Sequence, residues 1–105
     1  MPAPNSHDSK TEYSAVIYLS GMDRKQLDDT ERFCRDYANR FGWRVLESIH
    51  DTSPGQQLAK AVGLGPQIIL TGTLDMISPD QDTRDGLMMS LERAECIVHP
   101  VVTRG

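Results

Sequence analysis

The chain reads as a three-layer α/β domain, a four-stranded, mostly parallel sheet in the order 2-1-3-4 with helices on both faces. Three observations predict this. Near-continuous apolar runs at 14–19 and 67–71 have the character of short strands buried on both sides. Between such runs, apolar residues recur at the spacing of amphipathic helices. Each helical stretch opens on a capping signal: Asp23 with Gln26, Ser53-Pro54, and Ser78-Pro79. Strands alternating with helices imply parallel strands joined by right-handed crossovers, which restricts the order to few choices.

The first strand is Ser14 to Leu19, placed centrally by its unbroken apolar character. Asp23 caps the helix that follows, and Gln26 three residues on completes a capping box. Leu27, Thr30, Cys34, Tyr37, Ala38 and Phe41 then fall on one face, charges of both signs cover the other, and Gly42 stops the helix. Trp43 to Ile49 is the second strand, with Trp43, Val45 and Glu47 facing opposite to Arg44, Leu46 and Ser48, the alternation of an edge strand. Ser53-Pro54-Gly55-Gln56 predicts a short second helix with Pro54 at its first position, ending near Gly63. After the break Gly63-Leu64-Gly65-Pro66, Gln67 to Thr71 forms a third, buried strand. Ser78-Pro79-Asp80-Gln81 predicts a third helix, again with proline at its first position and with Leu87, Met88, Leu91 and Ala94 turned to the core. Cys96 to Val102 is the fourth strand, demoted to an edge by Pro100.

The chain of 105 residues suits one domain, expected over residues 13–105, behind a disordered, polar N-terminal tail over residues 1–12. The net charge of −4, with no run of basic residues, argues against broad electrostatic attachment to nucleic acid. Cys34 and Cys96 lie in apolar contexts without a CxxC neighbour, and are read as buried free thiols. Neither a signal peptide nor a membrane-spanning stretch is evident, so a cytoplasmic protein is expected, with no membrane contact. His7, His50 and His99 are scattered at spacings that fit no metal site, and no metal or other cofactor is expected.

In such a sheet ligands bind at the carboxyl ends of the strands, where the winding reverses. Here that point lies between strands one and three, and brings Ser20, Gly21 and Met22 near Thr71, Gly72, Thr73 and Asp75. The hydroxyls and glycines next to a helix start could hold an anion or a nucleotide phosphate through Ser20, Gly21, Thr71, Thr73 and Asp75. The plainer reading makes Ser20 a loop hydroxyl and Asp75 a turn residue bonded to backbone amides. Six acidic against two basic residues between Asp75 and Glu95 read as a solvated helix face, or as a docking surface for a basic partner.

Three segments carry a resemblance. They are the strand Ala15-Val16-Ile17-Tyr18 entering its helix, then Arg32-Phe33-Cys34-Arg35-Asp36-Tyr37-Ala38 with Gly42-Trp43-Arg44-Val45, and then Thr73-Leu74-Asp75-Met76-Ile77-Ser78-Pro79. In this order and spacing the chain resembles the N-terminal catalytic domain of serine recombinases (resolvases and invertases), which implies a resolvase-like, flavodoxin-like fold. The same alignment implies that the chemistry is lost. The position of the nucleophilic serine is Met22 and that of the neighbouring arginine is Ser20. The family's lysine and arginines after strand three fall on Thr73, Met76 and Pro79, and only the aspartate persists, as Asp75. Arginines there neutralise the scissile phosphate, and a transition state without them has little to stabilise it. A run of five residues, Ile17 to Gly21, is also similar to the first strand and loop of nucleoside deoxyribosyltransferases, without a glutamate in a recognisable nucleophile context.

The expectation is a catalytically inactive, resolvase-like domain that works as a protein-interaction or regulatory module, through an unidentified protein partner or self-association. The alternative is an enzyme that binds a small ligand or nucleotide in the crevice at the carboxyl ends of strands one and three.

Overall fold

The computed structural model describes residues 13–102. Its elements alternate as the sequence predicts: β1 (Ser14–Ser20), α1 (Arg24–Phe41), β2 (Arg44–Asp51), α2 (Leu58–Gly63), β3 (Ile68–Thr71), a 3-10 turn (Leu74–Met76), α3 (Gln81–Arg93) and β4 (Ile97–Pro100). The four strands form one sheet in the order β2-β1-β3-β4, and every neighbouring pair is parallel. The tail expected over residues 1–12 lies outside the described residues.

β1 is central and its residues Ala15 to Leu19 have no solvent exposure at all. They divide the core in two. Val16 and Tyr18 face α2 and α3 in a cluster with Ile49, Leu58, Ile69, Ile77, Leu91 and Val98. Ala15, Ile17 and Leu19 face α1, with Cys34, Ala38, Ile68 and Leu70. One helix therefore serves one face of the sheet and two serve the other. The two cysteines are free and buried in opposite clusters, with the sheet between them.

At α1 the Asp23 cap and the Gly42 stop form as the sequence predicts, and of the expected capping box the Asp23 half is made. The Asp23 side chain accepts from the Gln26 amide at 2.8 Å, and Gly42 takes the left-handed conformation at φ 75° that ends the helix. The other two helix starts differ. Gly55 has φ 87° and its amide donates to the Tyr18 hydroxyl, so no helix can begin at Pro54. The segment 53–57 is turned, and α2 starts only at Leu58. At α3 the cap is Asp80, whose carboxylate accepts from the Thr83 amide and hydroxyl, so Pro79 precedes the helix rather than opening it.

β2 also departs from simple alternation. Ala15 pairs with Val45 but Val16 pairs with Glu47, so an extra residue enters β2 at Leu46. A bulge shifts the following residues to the other face. Val45 stays on the α1 side, whereas Glu47 turns to the α2 side and reaches Lys60 at 3.5 Å. His50 in turn comes to the α1 side, where its Nε2 meets Glu31 at 2.9 Å. Trp43, Val45 and Glu47 thus do not share a face.

Candidate functional site

The carboxyl ends of β1 and β3 form a crevice of about 640 Å³, lined by Met22, Gln26, Asp29, Thr30, Thr73, Asp75, Met76 and Val102. Four of the residues singled out in the sequence, Met22, Thr73, Asp75 and Met76, meet there. Thr73 and Asp75 are hydrogen-bonded to each other through their side chains. The Met76 side chain is half-buried against the α1-side core and lies directly over Gly72, where any Cβ would come within 2.8 Å of its terminal methyl. A thioether packed on a glycine thus fills the space at this end of the sheet.

The remaining residues do not line the crevice. Ser20 is 3% exposed and its hydroxyl donates to the Met76 carbonyl at 2.7 Å, which ties the end of β1 to the 3-10 turn. Thr71 is wholly buried, its hydroxyl directed at the Thr73 carbonyl. Gly21 holds a left-handed conformation at φ 68° and donates its amide to the Asp51 carbonyl. Pro79 is exposed, ahead of α3. Ser20, Gly21 and Thr71 are consumed by the loop itself. Two carboxylates, Asp29 and Asp75, face the opening, and no lysine or arginine is among the described residues that line it.

Beside the crevice lies a buried polar network that sequence reasoning missed. The Tyr18 hydroxyl donates to Asp51 Oδ2 at 2.5 Å, while the Gly55 amide donates to the Tyr18 oxygen at 2.7 Å. Gln57 adds its backbone amide to Asp51 Oδ2 at 2.7 Å and its side-chain amide to Oδ1 at 2.6 Å. Burial works against the Asp51 charge, but the donors from Tyr18 and Gln57 together hold its carboxyl below the usual range. Burial, reinforced by the neighbouring carboxylate, pushes the Tyr18 phenol well above its usual value. The carboxylate accepts three hydrogen bonds, and the network clamps the 53–57 turn onto the central strand. The only sequence signal was a tyrosine in a strand otherwise made of aliphatic core residues.

A second concavity, of about 500 Å³, opens at the amino ends of the strands on the α1 face. Tyr37, Phe41 and Trp43 form its wall, with the Phe41 and Trp43 rings stacked at 5.1 Å, and Ile68, Ile97 and His99 form its floor. Tyr37 and His99 share a hydrogen bond of 2.7 Å between the phenol oxygen and Nε2. Phe41 and Ile97 are more than half exposed.

Among the described residues no group of three His, Cys, Asp or Glu is placed to hold a metal ion, and no helix is long and apolar enough to cross a membrane. No family model, no curated protein and no solved structure matches this chain.

Proposed function

We propose that the chain is a resolvase-like domain without recombinase chemistry, working as a protein-interaction or regulatory module. The observation that carries this reading is the make-up of the crevice at the carboxyl ends of the strands. Phosphoryl transfer needs a nucleophile and positive charge around the phosphate oxygens. At the aligned nucleophile position the crevice offers only the Met22 thioether; the hydroxyls of Thr30 and Thr73 and the carboxylates of Asp29 and Asp75 also line it, and no lysine or arginine does so among the described residues. A phosphodiester entering it would meet like charge. Ser20, the serine that ends β1, is buried and already donates to a carbonyl, so it has neither access nor a base. A thioether cannot attack phosphorus and leave as a serine ester would.

Supercoiled plasmid incubated with the purified chain at low salt tests the loss of chemistry. The expected result is neither nicking nor a covalent protein–DNA adduct, and no salt-sensitive mobility shift; an adduct would overturn the reading. Affinity purification of the tagged chain from cells of its source tests the positive half. A stoichiometric protein partner is expected. A monomer that recovers no protein, yet is stabilised in melting experiments by a nucleotide, would favour the small-ligand alternative instead.

A further inference from the structure

The geometry points to the aromatic cup on the α1 face as the docking site for an amphipathic helix of a partner protein, one with an apolar stripe and basic flanks. This rests on the interaction-module reading and names the surface and the partner chemistry that reading leaves open.

The first argument is coverage. Four strands at about 4.8 Å spacing make a sheet roughly 19 Å wide. A helix with its side chains covers roughly 10–12 Å. The face that meets α2 and α3 is covered by two helices, and Val98 of β4 is buried there. Among the described residues the opposite face has α1 alone, which packs on β1 and β2. Roughly 7–9 Å of the sheet's width is left; Ile68 and Leu70 of β3 are buried on this face, so its open ground is the edge strand, where Ile97 is 58% exposed beside Phe41 at 54%. Among the described residues no second helix lies alongside α1 on this face, and an incoming one would pack on Ile97 and the open side of Phe41.

A strand is the other common occupant of a sheet margin, and β4 is built against it. The Ile97 amide donates inward to the Gln67 carbonyl and the Val101 amide to the Thr71 carbonyl. Amides alternate along a strand, so those of residues 98 and 100 point to the open edge, and residue 100 is proline. The edge therefore offers a single outward donor, too few to template another strand. A second copy of the chain fits no better. Of its two longer helices, α1 carries Lys25, Arg32, Arg35, Asp36 and Arg40 on the surface away from the sheet, and α3 exposes Asp82, Asp85 and Glu92, which would meet the like charge of Glu95. Burying those charges on Ile97 and Trp43 would leave them without partners.

Charge sets the flanks of the incoming helix. Glu95 is the one carboxylate that lines the cup, no lysine or arginine lines it among the described residues, and the chain carries a net charge of −4. At the other end of the sheet, Asp29 of α1 and Asp75 of the 3-10 turn line the crevice at the carboxyl ends of the strands. Lysine or arginine at both ends of an apolar stripe meets this pattern.

Trp43 is the only tryptophan of the chain and stands in the wall, so it reports on occupancy directly. The test uses the full chain and a synthetic helical peptide of about four turns, with leucines at i, i+3, i+4 and i+7 and lysines flanking the stripe. A saturable change in Trp43 emission is expected, absent with a peptide of the same composition in scrambled order. Ile97→Lys should weaken binding roughly tenfold or more while leaving the urea midpoint unchanged, whereas Leu46→Lys, on the opposite edge of the sheet, should bind as the parent does. No saturable response, an equal response to the scrambled peptide, or unchanged affinity in Ile97→Lys would overturn the proposal. So would a concentration-dependent dimer in sedimentation that Ile97→Lys dissolves, because the occupant would then be a second copy. A native partner that still co-purifies with the Ile97→Lys chain would sink this site and leave the module reading standing.

Discussion

Tyr18 and Asp51 are 33 positions apart and meet because β1 and β2 run parallel and end together, with Ser20 opposite Asp51. Each group satisfies the other: the phenol neutralises the loss of water around the carboxylate, and the carboxylate fixes the phenol that receives the Gly55 amide. Removing the oxygen in Tyr18→Phe strips Asp51 of one donor and Gly55 of its acceptor. Unfolding by urea should show a loss of about 1–3 kcal/mol, and a loss below half a kilocalorie would mean that the network does not fasten the turn. The pH dependence follows from the sign of two shifts. Asp51, held low by Tyr18 and Gln57 against its burial, and Glu31, held low by Arg35 and His50 against its own, both bind protons more weakly when folded. Their contribution is therefore present above the ordinary carboxylate range and lost as the pH falls through the lowered folded values. Urea midpoints measured from pH 6 downwards should drop in the acid range, and Asp51→Asn should flatten part of that drop. At the crevice, Gly72→Ala must push the Met76 thioether aside. Its cost should shrink when Met76 is also replaced by alanine, a coupling that a double-mutant cycle measures.

At the scale of elements, what could be read from the sequence was what is local. The Asp23 cap, the apolar face of α1 and the Gly42 stop are written within one helix, and all three hold. Asp23→Ala should cost about 1 kcal/mol through the lost bond to the Gln26 amide. Gly42→Ala should cost about 1–2 kcal/mol because a side chain is forced into the left-handed region. Both are read as shifts of the thermal midpoint. The proline-led starts at Pro54 and Pro79 failed for a non-local reason. Gly55 is drawn into its left-handed turn by Tyr18 of another strand, and Asp80 outcompetes Ser78 as a cap because Thr83 supplies it with two donors. The bulge at Leu46 was equally invisible, since it exists only in the pairing of β2 with β1. The sequence did locate the crevice, because the carboxyl ends of parallel strands follow from strand order. Which side chains would line it did not follow. Ser20 and Thr71 were consumed by loop carbonyls, while Met22 and Met76 took the surface.

For the molecule as a whole, the consequence of order 2-1-3-4 is a sheet dressed unequally on its two faces. The β1–α1–β2 connection moves to one side of β1 and the next two move to the other, so right-handed crossovers put α1 on one face and α2 and α3 on the opposite one. That much follows from topology alone, and it makes the same kind of side chain count differently on the two faces. Ile69 of β3 is completely buried beneath α2 and α3, and Ile97 of β4 lies on the bare strip of the α1 face. Ile69→Ala leaves a cavity that two helices cannot collapse to fill, and should cost about 2–5 kcal/mol. Ile97→Ala removes a side chain that water already reaches, and should stay within about 0.5 kcal/mol of the parent. Urea denaturation of the two variants in parallel decides it. A large loss for Ile97→Ala would mean that the strip is closed in solution, and would put the aromatic cup out of a partner's reach.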